Sequence, residues 1–432
     1  MDFLIKTIGN NICFQVKHIG DVINIAIIKS SSITLNICNR RAFSVLGNNC
    51  LLVLLPFFLL CLYSCNKTID KSDSYINADK DTLSINSENK SSKVKLIFSG
   101  DFMIHQPQIE RSKKENGGHD FDYYFKYISS YHTDADFSII NFETTISKNP
   151  PFSGYPRFRV PHESMTAIKK GGIDVVLFAN NHICDNGDNG IKNNIFYADS
   201  LNLLYTGAFL DSLDLKKRNP LVLEKNGIKI GLLNYTYATN GMPVPNKRIV
   251  NLIDTVNIKN DIVRSKNIGV NTLIIVFHWG EEYRHKPTNY QKQICEWSIR
   301  NGANLIVGSH PHVVQPIAYG FDNDLKSPLV VYSLGNYVSN QQDLNCRGGI
   351  SFSIELEKTL NRALKYKNGE YLITWVNQHD EGEIKKYTVI PSFIADTLYK
   401  NKENHKDYFK FVENTRKLLK MAPIDELSFS KP

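Results

Sequence analysis

The sequence has little cysteine where a folded domain would use it. Of 8 cysteines in 432 residues, those after position 65 are only Cys184, Cys295 and Cys346, an odd number at scattered spacing. That excludes a disulfide framework. Cys184 has no neighbouring cysteine of zinc-site spacing, which argues against a thiolate site around it. There is no internal repeat and no sustained heptad pattern, so solenoids and coiled coils are excluded. Charge of one sign is also scarce. Lys and Arg number 51 against 43 Asp and Glu, a net +8 spread along the chain. No nucleic-acid partner is expected from that balance, whereas an acidic substrate or an anionic membrane surface is compatible with it. The apolar run at 50–63 is too short to cross a bilayer comfortably, and Pro56 interrupts it.

What is present is ordinary globular material. The chain is 42% hydrophobic and 22% charged, and its length allows one large catalytic domain or two modest ones. Residues 1–65 read as an N-terminal extension plus a signal segment. Arg40 and Arg41 precede the apolar run, as a positive n-region precedes an h-region. The run ends in Leu62-Tyr63-Ser64-Cys65, which resembles a bacterial lipobox, although Tyr63 is bulkier than the usual residue there. A lipidated Cys65 would anchor an exported chain to a membrane of the cell envelope. The residues before Arg40 make the n-region very long, and a translation start near residue 35 would account for them. Residues 66–93, rich in Asn, Ser, Lys and Asp, read as a flexible tether.

The folded domain is expected over 94–358, with a strand and helix extension over 359–432. Short apolar runs at 94–99, 137–140, 174–179, 228–234, 271–277, 305–308 and 329–333 read as buried strands. Helices are expected at 121–131, at 162–170 before Gly171, from the turn cluster at 185–190 to about 203, and at 290–301 before Gly302. Strands at 371–376 and 384–391 and an amphipathic basic helix at 407–421 make up the extension. Strands alternating with helices argue for an α/β fold.

Polar residues fall at the strand ends. Asp101, Glu143, Asn181, His182, His278, His310 and Asn336 each follow a buried run. In open α/β sheets the ligand crevice lies outside those ends, so residues far apart in sequence would meet there. The stretch 304–315, NLIVGSHPHVVQ, presents His310 and His312 on a loop stiffened by Pro311. With Asp101, Glu143, Asn181 and His278 they make an oxygen and nitrogen ligand set without thiolate, suited to Mn, Fe or Zn. Six ligands exceed the need of one tetrahedral ion. A bridging carboxylate would let them hold two, roughly 3.5–4 Å apart. His182 would then be free to act as a general acid.

Six segments carry a family resemblance: GDFMIH (100–105), NFETTI (141–146), ANNHICDNGDNGI (179–191), HWGEEY (278–283), GSHPHVVQP (308–316) and SLGNYV (333–338). In that order they resemble the CapA family of poly-gamma-glutamate capsule biosynthesis proteins, over roughly residues 93–357. The family is similar to the calcineurin-like metallophosphoesterases. The resemblance therefore implies a four-layer αββα sandwich, here with a small C-terminal extension.

It also implies roles. Asp101 and His312 would bind a first ion, Glu143 would bridge, and Asn181, His278 and His310 would bind a second. His182 would be the catalytic histidine. Asp185 and Glu282 would be further catalytic-site residues, and Asn336 a near-site one. The usual Asp-x-His of the wider superfamily is Asp101-Phe102-Met103 here, and Glu143 stands where an aspartate bridges. The first ion then lacks a histidine at that motif unless His105 reaches back, so one or two ions are expected. The function implied is capsule biosynthesis by an exported, membrane-anchored, metal-dependent hydrolase or transferase. Its substrate would be an anionic polymer, polyglutamate or another envelope polymer, handled with membrane subunits of a capsule complex. A polyglutamate chain contains no phosphate, which leaves two alternatives open: an exported phosphodiesterase or phosphatase, and a non-catalytic scaffold for polymer anchoring or export.

Overall fold

The computed structural model describes residues 2–8, 11–18, 21–29, 32–34, 91–318, 328–359 and 364–427. The signal run, Cys65 and almost all of the tether at 66–93 lie outside these residues. Contacts divide the chain into two units, Met1–Ile85 and Asn86–Pro432. In the first, Asp2–Ile8, Asn11–His18, Asp21–Lys29 and Ser32–Thr34 form a four-stranded antiparallel sheet. Among the described residues no helix is long and apolar enough to cross a membrane.

The second unit is mixed α/β with two large sheets. In the nine-stranded sheet, Ser92–Phe102 runs parallel to Phe137–Phe142, followed by Val175–Leu177 and Leu204–Thr206. On its other side come the antiparallel strands Gly348–Lys358, Lys365–Val376 and Val389–Pro391. The six-stranded sheet has a parallel centre: Ile228–Thr236, Thr272–His278, Leu305–Ser309 and Leu329–Val331. Antiparallel partners, Leu221–Lys225 and Ile317–Ala318, close its edges.

Side chains alternate faces along a strand, so a strand buried on both faces feeds two cores. Leu96, Phe98 and Ile139 of the larger sheet share one apolar cluster with Leu232, Ile274 and Val307 of the smaller. The intervening Ile140, Phe142 and Val176 pack instead with Phe121, Met165 and Ile191. Leu233, Ile275 and Ile306 pack with Ile258, Ile262 and Ile294. Those last three lie on the helices Thr255–Ile268 and Asn289–Asn301.

Three expectations differ from what is observed. The aromatic stretch 121–131 is not one helix but a 3-10 turn at Asp122–Phe125 and a short helix at Ser129–Thr133. Aromatic, Ser and Asp residues are weak helix formers, and the Asp120 carboxylate accepts the Asp122 N–H, which competes with helical bonding. The helix Thr255–Ile268 has no counterpart in the expected elements. It buries only Ile258, Ile262 and Ser265, too sparse a stripe to stand out, and is set by its Asp254 cap and left-handed Gly269. Finally, the residues expected as a C-terminal extension join the main sheet. Lys365–Val376 pairs with Gly348–Lys358 over nearly its full length, from Gly348↔Trp375 to Glu357↔Lys365. Strand pairing over such distances leaves no local mark in sequence.

Candidate metal centre

The register of both sheets brings their carboxyl ends to one place. Asp101 lies beside Asn141 across the parallel pair, and His278 lies beside Ser309. Gly100 permits the first of these placements. A Cβ there would sit 1.9 Å from the Gly335 carbonyl oxygen, so the chain can pass Gly335 only without a side chain. Asp101 N–H donates to that same carbonyl at 3.0 Å. The loop after Leu305–Ser309 is strained. His310 and His312, which flank Pro311, have φ of 97° and 59°. The loop is held by the Tyr283 N–H, which donates to the Pro311 carbonyl at 2.8 Å.

These elements assemble a buried cluster. Asp101, Glu143 and His278 are fully buried, and Asn181, His182, His310 and His312 nearly so. The Asn141 amide donates to Asp101 Oδ1 at 2.7 Å and to Glu143 Oε2 at 3.2 Å. Asp101 Oδ2 accepts the His310 backbone N–H and lies 3.2 Å from His312 Nδ1. His278 Nε2 donates to Asn181 Oδ1 at 2.8 Å, and its Nδ1 lies 3.0 Å from the Ser309 hydroxyl. Glu143 Oε1 sits 3.4 Å from His278 Nε2 and 3.9 Å from His312 Nε2.

Charge and burial oppose one another here. Burial alone would raise Asp101, but His312, His278 and Asn141 beside it bring its carboxyl below the ordinary value. Burial would lower His312, but the carboxylates of Glu143, Asp101 and Glu282 outweigh it and push the ring up to about 9. His310 has no such carboxylate help. Burial, with His278, His312 and His182 nearby, holds it well below the usual imidazole range.

The ligand atoms form overlapping groups in which all lie within 4.8 Å of one another: Asp101, Glu143 and His312; Glu143, His278 and His310. Glu143 is common to both. A third group joins the exposed Glu282 to His310 and His312. Two buried atoms of the cluster, Glu143 Oε1 and His310 Nδ1, have no hydrogen-bond partner. An unmet buried polar atom costs about 1–3 kcal/mol, and a coordinated cation would satisfy both. The residues present thus fit a divalent cation bound through nitrogen and oxygen. Ser309 would then accept the His278 Nδ1–H and orient that ring.

His182 stands beside this group. Its Nδ1 meets Asp185 Oδ2 at 2.7 Å, and that carboxylate oxygen also accepts the Phe158 N–H at 2.8 Å. Nε2 is left on the side of Asn240, 3.5 Å away, whose Oδ1 accepts from Asn181 at 3.2 Å. Two sequence candidates do not bring their side chains to the cluster. The Asn336 amide donates to Ser339, Gln341 and the Cys346 carbonyl, so it braces its own loop. His105 does not reach back to Asp101. Its Nδ1 accepts the Asn340 N–H at 3.3 Å, and burial pushes the ring down to about 4.

Asn141, Asn240 and Tyr237 were not singled out from sequence. Asn141 has a signal, since it lies two residues before Glu143 and so on the same strand face. Tyr237, whose ring centre is 4.6 Å from that of His310, and Asn240 sit in a loop whose sequence carries none.

Known proteins resemble the chain. Residues 95–341 match the family described as bacterial capsule synthesis protein PGA_cap. The chain is 30% identical over 231 residues to the capsule biosynthesis protein CapA of Bacillus anthracis, covering 51% of this chain and 54% of that protein. It thus spans about half the length of that relative. It is 24% identical over 314 residues to the PGA biosynthesis protein CapA of Bacillus subtilis (strain 168), covering 70% of this chain and 78% of that protein. Among solved structures it is similar to the NAD nucleotidase NadN of Haemophilus influenzae, with TM-score 0.40 and 9% identity, covering 76% of this chain and 61% of that one. It is also similar to the calcineurin-like phosphoesterase YfkN of Bacillus subtilis, with TM-score 0.39 and 12% identity, covering 76% and 100%.

Proposed function

This chain belongs to the bacterial capsule synthesis protein PGA_cap family, and on that premise we propose that it serves capsule biosynthesis through a metal-dependent hydrolase- or transferase-type site. One observation carries the metal reading. Two ligand groups share Glu143, and in the group with His278 and His310 two buried atoms lack partners. Asp101, Glu143 and His312 would hold one ion; Glu143, His278 and His310, with Asn181, the other. When bound, such ions would supply Lewis acidity, polarising a carbonyl or phosphoryl oxygen and acidifying water.

The protein's own residues do the rest. Asn141 keeps the Asp101 and Glu143 carboxylates together by donating to both. Asp185 accepts from His182 Nδ1 and leaves Nε2 on the side of Asn240, which in turn meets Asn181. With both ring nitrogens protonated, His182 would be placed to give its Nε2 proton to a leaving oxygen. Glu282, at the exposed side of His310 and His312, would position the incoming group.

The architecture we infer is the four-layer αββα sandwich of metallophosphoesterases, supported by the helix–sheet, sheet–sheet and sheet–helix clusters. We take the substrate to be an anionic envelope polymer such as polyglutamate. Export, a lipid anchor at Cys65 and work beside membrane subunits of a capsule complex complete the proposal, with the 40–65 segment as their support.

The test is metal content by plasma mass spectrometry of the full chain, purified without chelators and repleted with Mn²⁺ or Zn²⁺, beside His310→Ala. The expected result is roughly one or two ions, with at least one lost in the variant. No bound ion in the repleted wild type overturns the metal reading. Catalysis is tested separately: a capsule deletion strain should not be rescued by His182→Ala, and full rescue would count against it.

A further inference from the structure

A cleft of about 830 Å³ lies beside the loop that carries Phe158. Arg159 and Asn186 line it, and they directly follow Phe158 and Asp185, which are hydrogen bonded to one another at 2.8 Å. The cleft is therefore continuous in chain with the His182–Asp185 pair but is not part of the ligand cluster.

Its charges can be followed one by one. The cations on its wall are Lys148, Arg159, Lys192 and Arg248, and the acids are Asp199 and Asp211. Lys192 and Arg248 both pair with Asp188, at 2.5 and 2.6 Å. Asp199 is engaged by Arg218 at 2.8 Å. Asp211 caps the helix Ser212–Arg218, accepting the N–H groups of Leu213 and Asp214. Two cations remain. Among the described residues Lys148 and Arg159 have no carboxylate partner, and Arg159 Nε is sealed from solvent without any acceptor. Arg159 is half-buried and lines the cleft, so the part of its side chain that is open there is available to an anionic acceptor.

The wall is not uniformly polar. Phe196 exposes 55% of its surface, and the Lys148 ammonium lies 4.9 Å from the centre of its ring. A ligand that meets both cations and this ring carries anionic groups with hydrocarbon between them. A chain of linked phosphates has charge without an apolar spacer. A polymer of side-chain or backbone carboxylates separated by methylene groups has both.

We propose that this cleft is a subsite for an extended polycarboxylate chain, Arg159 and Lys148 taking separate carboxylates and Phe196 the methylene spacer between them. The proposal rests on the reading that the protein handles an acidic polymer. It adds where that polymer lies, on the His182–Asp185 flank of the site.

The test is equilibrium binding of a fluorescent ten-residue γ-linked glutamate oligomer to the full chain, with a polyphosphate of equal charge in parallel. Wild type, Lys148→Glu, Arg159→Gln and the double variant are compared, and the metal content of each is measured. Lys148 is exposed, so its variant tests the subsite even if Arg159→Gln fails to fold. The expected result is a several-fold loss of oligomer affinity in each single variant, at least about tenfold in the double, and weakening with added salt. Unchanged affinity in Lys148→Glu and the double variant overturns the subsite, as does tighter binding of polyphosphate than of the oligomer, or no oligomer binding at all. Absence of bound metal from the repleted wild type, with intact, Lys148-dependent oligomer binding, would strike the metal reading alone, which keeps the two failures distinct.

Discussion

Asn141 donates to two buried carboxylates that would otherwise face each other with one fewer donor between them. Asn141→Ala is expected to destabilise the fold by about 1–3 kcal/mol, the cost of stranding buried acceptors, as read by urea denaturation. A change below about 0.5 kcal/mol would show that Asp101 and Glu143 find other partners. His132 offers a cleaner titration, away from the cluster. It is fully buried between Ser138, 2.8 Å from Nδ1, and Tyr337, 3.0 Å from Nε2. Burial pushes its ring down to about 3. The unfolded ring titrates near about 6.5, so below that pH the unfolded chain takes up a proton that the native chain refuses. Stability contributed by the neutral ring is therefore complete above about pH 6.5 and is lost as pH falls towards 3, by about 1.4 kcal/mol per unit. His132→Gln should show a shallower decline between pH 6.5 and 5.5 than wild type. Equal slopes would assign the decline to other groups.

At the scale of elements, the strand Ser92–Phe102 and the C-terminal helix make contrasting predictions. Gly100 lets the strand pass under Gly335. Gly100→Ala requires the backbone to move and is expected to cost at least about 2 kcal/mol, with metal uptake falling alongside because Asp101 is the next residue. Normal stability in that variant would mean that the Gly335 loop yields freely. The helix Lys406–Leu418 turns Tyr408, Phe411 and Val412 onto the sheet, and the Phe411 ring lies 5.4 Å from that of Trp375. Its basic residues remain outside, but its apolar face is spent on the core. Phe411→Ala should cost about 3–5 kcal/mol and expose the helix to proteolysis. A loss under about 1 kcal/mol would make the helix a loosely held appendage.

The second unit is organised by its nine-stranded sheet, whose central strand, Ser92–Phe102, is followed on one side by the parallel strands and on the other by the antiparallel ones. Lys365–Val376 and Val389–Pro391 are the outer members of the second half, and Tyr371, Trp375 and Ile390 belong to the cluster that both sheets share. Truncation after residue 359 should therefore abolish soluble, cooperatively unfolding protein, because it opens a sheet edge and uncovers the shared core. A stable truncated chain with a sharp thermal transition would show that the first half of the sheet suffices.

Much of the site was legible in the sequence because each strand is a short apolar run and the residue that ends it is polar. Asp101, Glu143, His278 and His310 stand out for that reason, and the α/β rule sends such ends to one crevice. Periodicity likewise exposed the central strands and the helix at Asn289–Asn301. Tertiary structure alone decided the rest. It turned Asn336 towards its own loop and His105 towards Asn340, and it set Asn240 between Asn181 and His182. It also drew residues 365–391 into the main sheet and left Arg159 Nε without an acceptor. The physical reason is common to all of these. Alternation and strand ends are local properties that a chain writes along itself, whereas the partner a polar atom meets is chosen by strand pairing and loop closure between residues far apart in sequence.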